Sequence, residues 1–387
     1  MYVFLQIVYH SIYNILQTIK SPFFWVIVVI IFFQYKKIGE LEKDILGKNK
    51  KSPIYNVLVS TVLGLIGGLM GSVIFIYFGI TINPKDFYFI LPLAILLSLI
   101  HPKFMCFSYA GGIISLLSLI FGWPNINVVG VMAVVGVLHL VESFLVLVDG
   151  ERGKIPIFME RQGEVIGGFS MNRLWPVPFT IFINNGGVYP ATIIAILGYG
   201  DYAIANCPEK KSKQTAELLL VFSMTLLCFA WLSIEYNIFE YAAAIFSPLA
   251  HEIIIMIGRR KEEKGSFIFA PSNYGLKVLD TLLNSIGEKI ALKPGDIILS
   301  INGKKVYDKR DIGEILYFRP KYIWIEIFDR DKGLITKEYK DYKNGIHSLG
   351  IVVVSSLPEY AFIVEEQRSS IQKPLDNFRK KRARFKN

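Results

Sequence analysis

The sequence predicts an α-helical polytopic membrane domain followed by a small mixed α/β domain. Composition is the first reason. Of 387 residues, 52% are hydrophobic and only 19% charged, whereas a soluble chain carries roughly 25% charged residues. Distribution is the second. Apolar runs fill most of positions 22 to 258, and charge concentrates after Arg259. Length is the third. A helix needs about 20 mainly apolar residues to cross about 30 Å of hydrocarbon. Several runs approach or exceed that, among them Ile54 to Ile80, Phe104 to Phe121 and Ile126 to Val148.

Taken in order, the first twenty residues mix Tyr9, His10, Asn14 and Gln17 into an apolar pattern. No small-residue cleavage site follows Phe32, so this start reads as an amphipathic lead-in to a retained helix. The first span is expected at Pro22 to Tyr35, followed by a basic loop with Lys36, Lys37, Lys43, Lys48, Lys50 and Lys51. Further spans are expected at Ile54 to Ile80, Phe87 to Ile100, Phe104 to Phe121 and Ile126 to Val148. His101-Pro102-Lys103 divides the middle two, and Trp123-Pro124 closes the second of them.

A polar stretch from Asp149 to Leu174 then carries Arg152, Lys154, Arg161 and Arg173. The positive-inside rule places it on the side of the first basic loop, and the even number of spans between the two agrees. Two last spans, Thr215 to Leu232 and Phe239 to Gly258, end at Arg259-Arg260-Lys261. The C-terminal part is therefore expected in the cytoplasm and the N-terminus outside. The formal net charge of +10 suits cytoplasmic loops and anionic headgroups. It does not require nucleic acid.

The segment Pro176 to Ala205 breaks the helical pattern. Asn184-Asn185-Gly186-Gly187 sits near its middle and Pro190 close behind. A continuous helix would lose about 1 kcal/mol at each Gly and about 3 at the Pro. It would also move Lys210, Lys211 and Lys213 to the outside. Two half-length helices, or a tight hairpin, turning at Asn184 to Gly187 avoid both problems. One kinked helix is the other reading. The cysteines, Cys106, Cys207 and Cys228, lie in or beside apolar segments without metal-ligand spacing, and read as buried thiols.

Residues 267–355 read as a separate small domain, and 356–387 as a basic tail. Asn273 to Leu279 is a turn running into a strand, and Pro294 to Gly303 a turn, an apolar strand and a hairpin-type Asn-Gly. A helix is expected from Asp311, with Ile312, Ile315 and Leu316 at helical spacing. Strands follow at Tyr322 to Asp329 and Leu334 to Tyr339. There Ile323, Ile325 and Ile327 alternate with Trp324, Glu326 and Phe328.

The run Ser285, Glu288, Lys289, Leu292-Lys293-Pro294-Gly295-Asp296 and Ile297 to Gly303 resembles the core signature of bacterial PDZ domains. Ile286 and Ala291 depart from the usual Pro and Gly. The resemblance implies peptide binding by β-augmentation at a strand edge. By position in the motif it implies Tyr274-Gly275-Leu276 as a carboxylate-binding loop, Leu276 and Val278 beside the groove, and Ile312, Ile315 and Leu316 as its helical wall. Plain core packing is the other reading for each of these side chains.

Gly167-Gly168-Phe169, Arg173-Leu174-Trp175-Pro176-Val177-Pro178, Pro248, His251, Glu252 and Arg259-Arg260, together with the spans-then-PDZ order, resemble the MinJ family of Gram-positive cell-division topology proteins. That resemblance implies a non-enzymatic scaffold in division-site placement. Its partners would be a DivIVA-type coiled-coil scaffold and a MinD-like ATPase. No cofactor is expected.

Ionisable residues inside spans are functional candidates, because each costs about 2.5–3.5 kcal/mol on insertion scales. His139, Glu142, His251 and Glu252 form such a set. His251-Glu252 begins a zinc-type helix motif, but Ile255 stands where the second His belongs. Leu147-Val148-Asp149-Gly150 is faintly similar to the Asp-Gly element of intramembrane site-2 proteases, in the wrong order. Pairing of these residues within the bundle is the reading favoured over an intramembrane protease, and no metal site is assigned. A transporter with a broken-helix site at Asn184 to Gly187 is a further alternative. The tail from Lys373 to Asn387 has Arg379, Lys380, Lys381, Arg382, Arg384 and Lys386 against one acid, Asp376, which suits anionic lipid.

Overall fold

The computed structural model describes residues 2–47, 49–161, 164–184, 187–330 and 332–354. The basic tail 356–387 lies outside the described residues, as does Ser355. The front of the chain runs α1 (Tyr2–Lys20), α2 (Pro22–Leu46), α3 (Pro53–Tyr77), β1 (Thr81–Ile82), α4 (Phe87–Ile100), α5 (Phe107–Phe121) and α6 (Val128–Asp149). Then come β2 (Ile155–Arg161), β3 (Glu164–Asn184), β4 (Val188–Ala203), α7 (Pro208–Leu232) and α8 (Ile238–Lys264). The rear runs β5 (Leu276–Thr281), α9 (Ile286–Lys289), β6 (Ile297–Ile301), β7 (Lys304–Lys305), α10 (Lys309–Leu316), β8 (Tyr322–Asp329), β9 (Gly333–Lys340) and β10 (Ile351–Val354).

Among the described residues five helices, α2, α3, α6, α7 and α8, are long and apolar enough to cross a membrane. Three parts of the expected span map need correction. First, α2 does not stop at Tyr35. Good helix formers carry it on through Lys36, Lys37 and Lys43, until Gly47 takes a left-handed conformation at φ 74 and ends it. Second, α4 and α5 are not full spans. They have 14 and 15 residues, about 21–22 Å at 1.5 Å per residue, short of about 30 Å. A 3-10 turn at Pro102–Met105 joins them into a helical hairpin. The even count between the basic loops is unaffected.

Third, the segment 176–205 is not helical. Its turn falls where Asn184 and Gly187 predict, but the arms are the strands β3 and β4, paired from Phe169↔Ala203 to Asn184↔Val188. Val188 to Ala203 is rich in β-branched and aromatic residues and contains Gly198 and Gly200, which disfavours helix and suits a strand. β3 then lies along α3. A Cβ on Gly64 would sit 2.1 Å from the Pro176 carbonyl oxygen, and one on Gly68 would sit 1.9 Å from that of Pro178. Only glycine admits a strand backbone this near. Phe75, Val141, Leu145, Trp175, Val177, Phe179 and Ile181 form the shared core of α3, α6 and β3.

A strand edge placed among membrane helices must satisfy its own backbone groups. Alternate residues of β3 direct N–H groups to the edge away from β4, and each is accounted for from Leu174 to Thr180. Leu174 donates its N–H to Tyr35 Oη at 3.1 Å, and Thr180 donates to Ser72 Oγ at 2.8 Å. Between them stand Pro176 and Pro178, which have no N–H to satisfy. β1 then pairs with Phe182 and Ile183. Just before this edge, Arg173 and Asp149 form a fully buried ion pair. The Trp175 indole donates to the same carboxylate at 2.8 Å.

The rear module is a sheet in the order β10-β5-β6-β8-β9, with β7 beside β6. Ile323, Ile325 and Ile327 are fully buried, while Trp324 and Phe328 are exposed, as the alternation predicts. The helix of this module starts earlier than expected, with Asp308 as its cap in a reciprocal arrangement with Asp311. Ile351–Val354 adds a strand, β10, beyond those expected from the sequence.

Candidate functional site

The rear module docks on the basic end of the membrane bundle. Lys50, between α2 and α3, pairs with Asp280 at 2.5 Å. Gly167 donates its N–H to the Phe269 carbonyl at 2.9 Å, and Ile268 donates to that of Ile204 at 3.2 Å. A Cβ on Gly167 would lie 2.8 Å from Val354 and 3.0 Å from Leu279. Phe169, Phe269, Leu279 and Val354 form one small core there. Gly167-Gly168-Phe169 is therefore the seat of the module. At the end of α8, the buried Glu262 carboxylate accepts N–H groups from Ile204 and Ala205 at 2.8 Å and from Asn206 at 3.3 Å, fixing the turn into α7.

The strand edge that the motif position offers to a peptide is already occupied. β5, which starts at Leu276, has no open edge. β6 pairs with it at Leu276 and Lys277, and β10 pairs with it from Lys277 to Thr281. Leu276 and Val278 are fully buried core residues. Gly275 serves close approach of another kind: a Cβ there would meet the Ile298 carbonyl oxygen at 2.2 Å. Tyr274 is exposed. Ile312 and Leu316 are buried in the module core, with Ile315 half-buried against it.

Among the described residues the strand order ends at β10 on one side and β9 on the other. The two differ. β9 alternates exposed and half-buried residues and includes Lys337 and Lys340, a charged edge of the kind that discourages pairing. β10 reads Ile-Val-Val-Val and lacks charge. Ile351 and Val353 pack against the same core as Ile312, Ile315 and Leu316, while Val352 and Val354 face the docking core. The signal that could have exposed this strand is the β-branched run Ile351 to Val354 after Gly350 at φ +62.

The second site lies where the α4–α5 turn meets α6 and α8. The structure brings together all four of the expected residues His139, Glu142, His251 and Glu252. His139 Nε2 is 4.0 Å from Glu142, and the His139 and His251 rings are 5.3 Å apart, edge to face. Three residues missed by the sequence reading complete the cluster. Cys106 Sγ is 3.2 Å from His139 Nε2. Tyr109 donates its hydroxyl to Glu252 at 2.7 Å and lies 3.2 Å from His251 Nδ1. Lys103 pairs with Glu252 at 2.6 Å. The cysteines are thus not the deeply buried thiols expected: Cys106 and Cys207 are half-buried and Cys228 is exposed. Asp149 does not join this cluster. It lies ten positions beyond His139 on α6, about 15 Å along the axis, and its carboxylate is held by Arg173 and Trp175.

No protein-family model matches the chain. Among curated proteins it is similar to the cell division topological determinant MinJ of Bacillus subtilis (strain 168), 24% identical over 216 residues, which is 51% of this chain and 54% of that protein. The chain thus spans about half the length of that relative. Among solved structures, the PDZ domain of the SdrC-like protein from Listeria monocytogenes is 19% identical, covering 21% of this chain and 90% of that one, with a TM-score of 0.18. The chain is thus similar, over about half its length, to a cell-division topological determinant, and its described residues include five helices long and apolar enough to cross a membrane followed by a sheet module.

Proposed function

We propose that this protein is a membrane-embedded adaptor that takes an extended segment of a partner on the outer edge of β10. The observation that carries the reading is the contrast along the module's sheet. Among the described residues β5 is paired on both sides, whereas β10 ends the strand order with an uncharged edge over the α10 core. An incoming strand would gain main-chain hydrogen bonds from that edge and side-chain selectivity from the apolar wall. The module docks at the basic end of the bundle, which on this reading is the cytoplasmic one, and the composition of the basic tail suits a contact with anionic lipid.

The likeness to a division-topology determinant supports a role in division-site placement, with DivIVA-type and MinD-like proteins as the partners bridged. The role is non-enzymatic. The test is fluorescence localisation of the full chain in dividing cells, beside a chain lacking residues 267 to 387. Enrichment at septa or poles that is lost with the module is the expected result. A uniform membrane signal from the intact chain would overturn the division role, and enrichment unchanged by the deletion would overturn recruitment through the module.

A further inference from the structure

The cluster at the α4–α5 turn has the chemistry of a metal site. One ligand atom from each of Cys106, His139 and His251 lies within 4.8 Å of the other two. A tetrahedral zinc site with bonds of about 2.3 Å to sulfur and about 2.0 Å to nitrogen holds its ligand atoms about 3.3–3.6 Å apart. Cys106 Sγ and His139 Nε2, at 3.2 Å, are already near that spacing. The ligands come from three different elements, the start of α5, the middle of α6 and the middle of α8, so bound metal would tie the helical hairpin to the bundle.

The surroundings set the ligands in the form a metal needs. His139 Nδ1 is 2.8 Å from the Val135 carbonyl, an acceptor only, so this nitrogen carries the proton and Nε2 keeps its lone pair toward Cys106. The Tyr109 hydroxyl gives its proton to Glu252. Its oxygen is left to accept from His251 Nδ1–H, which leaves His251 Nε2 as the ring's lone-pair nitrogen. Each histidine therefore has a partner of the kind that orients metal-bound imidazoles. Cys106 precedes the first turn of α5 and accepts the Ser108 N–H at 3.5 Å, where the positive end of the helix faces the sulfur. Glu142, 4.0 Å from His139, adds a carboxylate at the rim.

We propose that Cys106, His139 and His251 bind one divalent transition-metal ion of the zinc class within the membrane bundle, with Tyr109 and Glu252 as positioning residues for His251. One thiolate and two neutral imidazoles suit Zn2+ and its spectroscopic substitute Co2+ over magnesium or calcium, which take oxygen ligands. Binding releases the thiol proton to solvent and involves no redox change.

The experiment uses the full chain purified in detergent, stripped of metal with a chelator and reloaded with Zn2+ or Co2+. One ion per chain, and a sulfur-to-cobalt charge-transfer band together with the visible bands of tetrahedral Co2+, are the expected results. Cys106→Ser abolishes the charge-transfer band, whereas Cys228→Ser, at an exposed thiol, keeps it. His139→Asn and His251→Asn each lose stoichiometric binding. Tyr109→Phe weakens binding by about 10–100-fold, the range for a lost orienting partner. Loaded wild-type protein without the charge-transfer band, or with less than stoichiometric zinc, would overturn the proposal, whatever the folding of the variants. Cys106→Ser with the band unchanged would overturn the ligand assignment.

Discussion

The inner edge of β3 and the outer edge of β10 pose the same problem in two solvents, and the chain solves it in opposite ways. The β3 edge lies among apolar helices, where an unpaired N–H costs several kcal/mol. Its donors are taken up by Tyr35 and Ser72, deleted at Pro176 and Pro178, or paired with β1. The β10 edge lies on the rear module, where water can satisfy what no strand does. It ends the sheet. A strand edge is thus a liability in the bundle and a resource on the module, and side chains decide which.

The largest expected effect comes from the buried pair at the mouth of the sealed edge. Arg173→Met leaves the buried Asp149 carboxylate with only the Trp175 indole and the more exposed Arg152, 3.5 Å away, and should destabilise the membrane region by about 3 kcal/mol. The double variant Arg173→Met, Asp149→Leu should recover most of that loss. Thermal melting of the full chain in detergent reads both, and a double variant no better than the single would show that the pair is not one unit.

The glycine face of α3 comes next. A Cβ at Gly68 meets backbone, whereas at Gly71 the nearest atom is a Val141 methyl at 3.4 Å. Gly68→Ala should cost about 3 kcal/mol as overpacking, and Gly71→Ala much less. Equal losses would mean that β3 does not lie on α3 as described. Ser72→Ala probes the seal itself. It leaves the Thr180 N–H without its acceptor and should cost about 1–3 kcal/mol, with faster amide exchange confined to the middle of β3.

The smallest effect belongs to the wall beside β10. Asp308 caps α10, and its carboxyl is held below the usual range, first by the Arg310 side chain and then by the Asp311 N–H. Because the folded value is the lower one, the stabilisation is complete above about pH 4 and fades as pH falls through the lowered value. Asp308→Ala should cost about 1 kcal/mol at neutral pH. The difference from wild type should close in acid, measured by unfolding of the full chain as a function of pH.

Much of the architecture was legible in the sequence. Apolar runs located the long helices because length against bilayer thickness is a strong constraint. The Ile323, Ile325, Ile327 alternation located β8. What escaped was whatever depends on a distant partner. Pro176 and Pro178 argue against a helix, but their use as silent positions on a strand edge appears only once Tyr35 and Ser72 are beside them. α4 and α5 read as two spans because hydropathy does not report where a short helix stops. The intramembrane His and Glu residues were legible as a set from their cost alone. Cys106 was not, because its partners lie on other helices with no shared spacing. β5 reads as an edge strand because its second partner, β10, lies some seventy positions further on, in a run of only four residues.

Hydrogen–deuterium exchange on the full chain in lipid nanodiscs tests the contrast between the two edges most directly. Residues 172–183 should stay protected throughout. Peptides covering 349–354 should exchange about half of their amides quickly, the half not bonded to β5. Rapid exchange across 172–183 would contradict the sealed edge, and β10 amides all as slow as those of β5 would contradict the open one.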